Sequence, residues 1–396
     1  MGVVASYLQE QRQAKTADQV INITLRQLKE RTRILDEMSP VKMRDNRQWL
    51  AYITEQIDPI ASLVSPGAEF PAIKKGQFSR IDTRLFKAAL KHEWTEDIQW
   101  RLKEVKEFAA ATGIAVQNMS VGEGKVLVGA DNSLAELIFG TLQSLVRGHF
   151  NLIDYLAWQV WQTGAMQHTD FRTGLNINLD WKPVLAKSVS YNHFPAPVYE
   201  DAAGRDWTQL ETADGIQDLV DMHYIYKYDA GVPADKIVMA EELVNLLLRQ
   251  KSTKEAVVQS MTVGYQITGT PSLDQLNEVM GRRFLPPIVT DESQFSLDGD
   301  NQGINVPRRF LDPTMVVFMK KGVVERAFGG TLENNGKAGI FQRTYEKSKT
   351  PILDISETAS NMVIIAPEIA RYGMARKVTT KTNLDATMNL ADFAKA

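Results

Sequence analysis

The sequence predicts an α+β fold, because segments with helical periodicity and segments with strand patterns fall in separate blocks instead of alternating. A helical pattern of about thirty residues, over Asn132 to Thr163, dominates the first half of the chain. Most apolar strand-like runs follow Pro287. At about 150 residues per domain, the 396 residues suffice for two or three lobes with sizeable cores.

The composition excludes several classes of protein. Hydrophobic residues make up 44% of the chain and charged residues 23%, as in an ordinary globular protein. The net charge of −3 disfavours a protein that grips nucleic acid through phosphate neutralisation. The absence of cysteine excludes disulfides, thiolate–zinc sites and iron–sulfur clusters. The first 19 residues lack an apolar segment, and no apolar run approaches the roughly 18 residues of a membrane helix, so we expect a cytoplasmic chain.

Two helices are predicted near the N-terminus. Apolar residues recur on one face over Thr16 to Met38, and Ser39-Pro40 ends this helix because the residue before proline avoids the helical conformation. A second, shorter helix fits Asn46 to Ile57. Their apolar faces favour two interpretations equally: packing into the core, or an arm that a neighbouring molecule covers.

The segment Phe70 to Lys91 has an unusual charge distribution, with six basic residues against Asp82 alone, a net charge of +5. An acidic group follows it at once. Adjacent basic and acidic runs can pair with their complements on a neighbouring copy, although a solvated face is the plainer interpretation. The candidate inter-subunit contacts are Lys74, Lys75, Arg80, Arg84, Lys87, Lys91, Glu93, Glu96 and Asp97.

The long helix carries start and stop signals. Ser133 and Glu136 form a capping box, and Gly164 suits a left-handed C-cap. We interpret this helix as the structural backbone of a domain. His149 within it is expected to be a hydrogen-bonded core or interface histidine, and Trp158 and Trp161 to be core or interface residues.

The second half of the chain alternates short elements. A period-two pattern predicts a strand over Leu175 to Trp181. We expect Thr212, Ser252 and Ser272 to cap three helices, and Gly231 and Gly281 to end the first and last of these. Further strands are predicted at Lys236 to Ala240, Pro287 to Thr290, Thr314 to Met319, Gly339 to Thr344 and Asn361 to Ala366.

No motif indicates catalysis or cofactor binding. The chain lacks a phosphate loop, a zinc-protease motif and a serine-nucleophile elbow. Gly122 to Gly124 is typical of a hairpin turn, and Asp298 to Gly303 resembles a calcium loop whose twelfth position, Arg309, should be glutamate. The five histidines are far apart in sequence. We therefore expect a protein that is not an enzyme and has no catalytic residue, cofactor or metal.

Short motifs occur in a recognisable order from the threonine–glycine end of the long helix onward. These motifs are Ala157 to Met166, the strand Gly174 to Trp181, the helix Asp206 to Leu219, the strand Lys236 to Ala240 with Leu246 to Leu248, Val306-Pro307 before Met315 to Phe318, and Thr358 to Pro367. Their order and spacing resemble the lambda-like major capsid protein E family of tailed phages, and the resemblance covers residues 70 to 378.

The resemblance implies the Hong Kong 97-type phage capsid fold. Its expected parts are a helical N-terminal arm (1–65), an extended loop (66–125), a peripheral domain (126–205) with its spine helix (133–163), an axial domain (206–350), and C-terminal strands that return to the peripheral domain with a tail (351–396).

The implied function is a major capsid protein that self-assembles into pentamers and hexamers of an icosahedral shell around double-stranded DNA. The implied partners are other copies, scaffolding, portal and decoration proteins, and packaged DNA held without sequence specificity, but no membrane. The implied location is the virion, assembled in the host cytoplasm.

Two alternatives remain open at this point. An encapsulin-type compartment shell has the same fold, and a soluble enzyme with an unrecognised carboxylate site belongs to a different class. Covalent lysine–asparagine crosslinking occurs in some relatives of this fold, but Asn334-Asn335-Gly336 is more simply a tight turn.

The charged segment generates the first prediction. Reversal of Lys74, Lys75, Arg80 and Arg84 to glutamate should block shell assembly and leave the chain folded, because the reversed charges repel their complements on a neighbour. Electron microscopy scores assembly, and circular dichroism scores folding. Normal shells from this variant would refute the assigned role of the segment.

Overall fold

A computed structural model describes residues 33–44, 48–54, 78–94, 96, 100, 117–121, 124–128, 132–169, 176–181, 206–260, 270–296, 307–347 and 353–379. Within these ranges the predicted α+β class is confirmed. The helices are α1 (Ile34–Met38), α2 (Asn132–Thr163), α3 (Gly215–Ala230), α4 (Glu241–Arg249), α5 (Lys251–Ser260), α6 (Leu273–Arg282) and α7 (Ile369–Tyr372).

The strands begin with β1 (Val41–Arg44), β2 (Gln48–Thr54), β3 (Phe78–Arg84), β4 (Phe86–Trp94), β5 (Gln117–Val121), β6 (Gly124–Val128), β7 (Ala165–Thr169), β8 (Asn176–Asp180) and β9 (Lys236–Met239). They continue with β10 (Ile288–Thr290), β11 (Gln294–Ser296), β12 (Pro307–Arg309), β13 (Met315–Met319), β14 (Glu325–Gly329), β15 (Ile340–Lys347), β16 (Leu353–Ile365) and β17 (Met374–Lys377).

The long helix α2 is confirmed over the predicted range. Gly164 follows it with a φ of 70°, and its N–H donates to Val160 O at 2.8 Å, so the predicted left-handed cap is present. Trp158 and Trp161 are buried in the core, as expected. The helix begins at Asn132, so Ser133 lies inside it and is not the N-cap, and the predicted capping box of Ser133 with Glu136 is wrong.

A five-stranded sheet packs against α2. Its centre is β16, which pairs antiparallel with β4 along one edge and with β15 and then β14 along the other. Strand β1 extends the sheet by pairing in parallel with β14. The sheet thus joins segments from both ends of the described chain, and β4, from within the predicted extended loop, is one of its strands.

A second sheet, in the order β10-β9-β13-β17, separates two hydrophobic cores. Met315, Val317 and Met319 of β13 belong to the core that contains α2. Val316 and Phe318 of the same strand belong to the core formed by α3, α4, α5 and α6. Since successive side chains point to opposite faces, this uninterrupted apolar strand is buried on both sides.

Several local predictions hold. Strands β8 and β9 lie within the predicted ranges from Leu175 to Trp181 and from Lys236 to Ala240. Strands β10, β13, β15 and β16 overlap the four later predicted ranges. Gly231, with a φ of 73°, ends α3, and the capping box of Ser272 with Gln275 starts α6. Strands β5 and β6 pair up to Val121 and Gly124, which confirms the hairpin. The turn at Asn335-Gly336 is confirmed by left-handed φ values of 54° and 81°.

The helix predicted over Asn46 to Ile57 is wrong, because Gln48–Thr54 is the strand β2. It pairs antiparallel with β3 over its whole length. The positions of Trp49, Leu50 and Ile53 fit a helical face, but the segment is rich in β-formers and its pairing partner lies some thirty residues away. The helix predicted from Thr16 is described only from Arg33 onward, as α1.

Three predicted caps are also wrong. The N-cap of α3 is Asp214, whose carboxylate accepts from Gln217 N at 3.2 Å, and Thr212 lies in the preceding turn. Ser252 lies inside α5, where its hydroxyl donates to Ala213 O at 3.0 Å. Gly281 lies inside α6, which continues to Arg282. The segment Asp298 to Gly303 lies outside the described residues.

A buried ionic cluster, which we call the Arg326 cluster, joins α1, α2 and β14. The side chain of Arg326 is almost fully buried, and its guanidinium forms ion pairs with Asp154 of α2 and Asp36 of α1. Its Nε donates to Ser39 O at 2.6 Å, and Arg33 donates to the second oxygen of Asp154 at 2.8 Å. The cluster therefore fixes three segments that are distant in sequence.

The Arg326 cluster generates the second prediction. Arg326→Met should lower the free energy of unfolding by about 3–5 kcal/mol, because it leaves the buried carboxylate of Asp154 without its main partner. Arg326→Met combined with Asp154→Leu should recover part of this loss. Urea unfolding followed by circular dichroism measures both.

The matched control for this prediction is Arg343→Met. Arg343 forms an exposed cross-strand pair with Glu357, and its removal should cost no more than about 1 kcal/mol. An equal cost for Arg326→Met and Arg343→Met would contradict the assigned role of the cluster.

Candidate inter-subunit surfaces

Strand β4 presents part of the predicted charged segment on one face. The exposure of its residues alternates along the strand and ends at the fully buried Trp94. Lys87, Lys91 and Glu93 fall at the exposed positions of this alternation. The structure thus places three of the nine candidate contact residues together on the outward face of the five-stranded sheet.

The outward face continues onto the neighbouring strands. Glu357 of β16 lies opposite Lys91 in the register and accepts from Tyr345 Oη at 3.1 Å. Arg343 of β15 pairs with Glu357, and its guanidinium stacks over the Tyr345 ring at 5.0 Å. We call the set Lys87, Lys91, Glu93, Arg343, Tyr345 and Glu357 the charged sheet face.

Some of these charges are paired within the chain. Lys91 Nζ lies 2.7 Å from Glu93 Oε1, and the hydrogen bond and charge of Glu93 raise the pKa of Lys91. Lys87 pairs with Glu333. Because exposed ion pairs contribute at most about 1 kcal/mol, these pairs are weak enough to exchange for partners on another molecule.

The other candidate contact residues are only partly described. Glu96 is exposed and accepts from Trp100 Nε1 at 3.3 Å. Arg80 and Arg84 lie in β3, but their side chains lie outside the described ones. Lys74, Lys75 and Asp97 lie outside the described residues. The contact role of all nine residues stays a prediction.

A buried polar seam supports the charged sheet face from behind. His149 of α2 places Nε2 at 2.9 Å from Thr358 Oγ1 and Nδ1 at 2.7 Å from Ser360 Oγ. Trp94 Nε1 donates to Ser356 Oγ at 2.8 Å on the same strand β16. The expectation of a hydrogen-bonded histidine is confirmed, and the seam fixes β16 against α2.

Exposed aromatic residues form a second surface, which the sequence interpretation missed. Tyr224, Ile225 and Tyr228 of α3 are 65%, 42% and 89% exposed. Their spacing follows one helical face, opposite the buried Met222 and Tyr226. A helix with apolar residues on two faces was the available signal. We call Asp221, Tyr224, Ile225 and Tyr228 the α3 face.

A further aromatic residue projects just beyond α6. Phe284 is 90% exposed and has a φ of 60°, whereas the following Leu285 is buried. Periodicity gives no signal for this residue, because it lies outside the helix.

No described helix is long and apolar enough to cross a bilayer. No group of three or more potential metal ligands lies together among the residues that the structure describes.

The chain has no match among protein-family models or curated proteins. It does match solved structures, and several of these are capsid proteins. The protein assigned as the capsid protein of an E. coli CFT073 prophage is 15% identical, with a TM-score of 0.49 over 86% of this chain and 91% of that one.

Two further matches are similar in extent. The capsid of Myoviridae phage XM1 is 12% identical, with a TM-score of 0.40 over 83% of this chain and 84% of that one. The virus-like particle of Pyrococcus furiosus is 9% identical, with a TM-score of 0.42 over 91% of this chain and 98% of that one.

The buried seam generates the third prediction. Burial lowers the pKa of His149 from 6.5 to about 4, so the folded chain resists protonation that the unfolded chain accepts. The resulting stability is complete above pH 6.5 and falls by roughly 3 kcal/mol as the pH drops to 4. His149→Gln should flatten the stability profile in this window, measured by urea unfolding at a series of pH values.

The slope is the decisive quantity for His149→Gln. A constant offset from the wild-type profile, with the same dependence on pH between 6.5 and 4, would show that His149 does not titrate on unfolding.

Proposed function

We propose that this chain is a major capsid protein, copies of which form pentamers and hexamers of an icosahedral shell that encloses double-stranded DNA. The observation that carries the proposal is the exposure of large apolar side chains beside two buried cores among the described residues. Tyr228 and Phe284 are about nine-tenths exposed beside one core, and Leu332 is 75% exposed on a turn of the other lobe. Exposed apolar residues on separate surfaces favour contacts with several neighbours.

The two hydrophobic cores support a proposed division of the chain into domains. We propose that the N-terminal arm is 1–65, the extended loop 66–125, the peripheral domain 126–205, the axial domain 206–350, and the returning C-terminal segment 351–396. Most of the core of α3 to α6 comes from the proposed axial domain, and Met374 and Val378 of the returning C-terminal segment complete it. Strands β14 and β15 of the same segment pair with β16, so its last part adjoins the proposed peripheral domain.

The charges of the chain suit a container wall. A wall that bound phosphate tightly would impede the entry and exit of a genome, and a net charge of −3 avoids such binding. The charged sheet face, by contrast, offers both signs of charge for a neighbouring copy. Packaged DNA is thus a content of the proposed shell and is held without sequence-specific contacts.

The proposed assembly takes place in the host cytoplasm, together with scaffolding, portal and decoration proteins, and ends in the virion. Heterologous contacts close into rings of five or six copies, and contacts between rings close the shell. With no cysteine in the chain, the shell depends on buried surface and charge pairing.

The fourth prediction concerns assembly itself. The expressed chain, alone or with its neighbouring phage genes, should form closed icosahedral particles, because its exposed apolar residues are covered only in contact with other copies. Negative-stain microscopy and sedimentation velocity measure this. A protein that stays a small soluble oligomer under both conditions would contradict a shell function and favour an enzyme.

The contents of the purified particles distinguish a phage shell from an encapsulin-type compartment. Particles purified from cells that carry the neighbouring phage genes should contain nuclease-protected double-stranded DNA. A defined protein cargo in place of DNA would contradict the phage shell and identify an encapsulin-type compartment.

A further inference from the structure

Phe284 occupies a backbone position that normally requires glycine. The end of α6 closes with Phe284 N donating to Gly281 O and Leu285 N donating to Met280 O, both at 3.0 Å. This pattern places the residue after the cap in the left-handed conformation, which glycine adopts without steric conflict and phenylalanine does not. Because the side chain is also 90% exposed, it buries little apolar surface in the isolated chain, and the backbone strain there has no compensating contact.

The surroundings of Phe284 hold it outward. Leu285 is buried directly after it, and Arg282 and Arg283 are exposed directly before it. Arg282 is tied back by Glu278, with Nη2 at 2.6 Å from Oε1. An exposed aromatic side chain thus projects beside two arginines. We call Arg282, Arg283 and Phe284 the Phe284 knob.

The α3 face has the complementary chemistry. Tyr224, Ile225 and Tyr228 present an apolar surface, and the exposed Asp221 lies one turn before it, held by Gln217 Nε2 at 2.9 Å. The opposite side of α3 is anchored in the core, where Tyr226 Oη donates to Tyr372 O at 3.0 Å. The surface is therefore a fixed platform with an acidic end.

We propose that the Phe284 knob of one copy packs on the α3 face of a second copy, and that repetition of this contact closes the ring of the capsomer. The inference rests on the proposed shell function and names the contact within it. Because α5 packs against both α3 and α6, the knob and the face belong to one rigid unit of the same core.

Charge disfavours the symmetric contact between two knobs. Two knobs in contact would oppose the arginines of both copies. The knob on the face brings Arg282 and Arg283 towards Asp221 and stacks Phe284 among two tyrosines. Since the two surfaces differ, the contact is heterologous and generates a ring or a filament instead of a two-fold dimer.

The absence of cysteine allows a direct test of the proposed contact. The chain with both Tyr228→Cys and Phe284→Cys, treated with a short bismaleimide crosslinker, should give a ladder of covalent oligomers that ends at five or six copies. Each single variant should stay monomeric on a denaturing gel, and an equal mixture of the two should stop at the dimer. Absence of the ladder from capsomers or particles overturns the proposal.

The matched control replaces one partner within the same unit. Gln259 is exposed on α5, so Gln259→Cys with Phe284→Cys presents two exposed thiols of which only one lies in the proposed contact. This pair should give no ladder. An equal ladder from both pairs would show random crosslinking and would also overturn the proposal.

A second variant separates folding from assembly. Phe284→Gly removes the aromatic tip and relieves the left-handed backbone, so its thermal midpoint should equal or exceed that of the wild type. Its yield of particles should fall by at least about tenfold, as for the loss of an interface hot spot, and Phe284→Tyr should restore it. Normal particles from Phe284→Gly would overturn the knob and leave the shell function standing, whereas a wild type without particles would overturn both.

Discussion

The ion pairs of Arg326 are the constraint on which the rest of the structure depends. Arginine stays charged at every accessible pH, so a guanidinium with 1% exposure requires carboxylates and carbonyls around it. Asp154 from the long helix and Asp36 from α1 supply the opposite charge, and Ser39 supplies a carbonyl. The fold must therefore bring the N-terminal segment, α2 and β14 to one point. Strand β1 follows directly and extends β14 in parallel, with Arg326 N donating to Pro40 O at 3.3 Å.

The sheet between the two cores transmits this constraint to the second lobe. Successive residues of β13, such as Val317 and Phe318, contact different cores. A movement of either lobe relative to the strand would therefore expose apolar surface to water. The knob and the α3 face are attached to the second core, and the charged sheet face to the first. In the proposed shell, a neighbouring copy that contacts both lobes would thus meet surfaces in a fixed mutual arrangement, as a shell of many identical contacts requires.

Features that depend on local sequence could be predicted, and features that depend on distant partners could not. The long helix, its end at Gly164 and the N-cap at Ser272 follow from spacing and cap residues. Strand β14 was missed because it carries Glu325 and Arg326, whose place in a sheet depends on carboxylates elsewhere. Of the candidate surfaces, the charge of β4 is visible in the sequence, but its one-sided exposure depends on pairing with β16. The exposure of Phe284 could not be predicted, because a left-handed phenylalanine contradicts its own propensity.

In the proposed shell, the two kinds of surface would supply different parts of the free energy of assembly. The charged sheet face carries exposed pairs such as Lys91 with Glu93, which contribute little free energy but disfavour a wrong register, since like charges repel. The aromatic side chains near α3 and α6 supply apolar area, which contributes affinity in proportion to the surface removed from water. A shell needs both, because contacts that are strong but unspecific trap misassembled copies, whereas specific contacts without apolar burial do not hold. In a chain without cysteine, a charged face on one lobe and the proposed aromatic contact on the other would meet this requirement without covalent links.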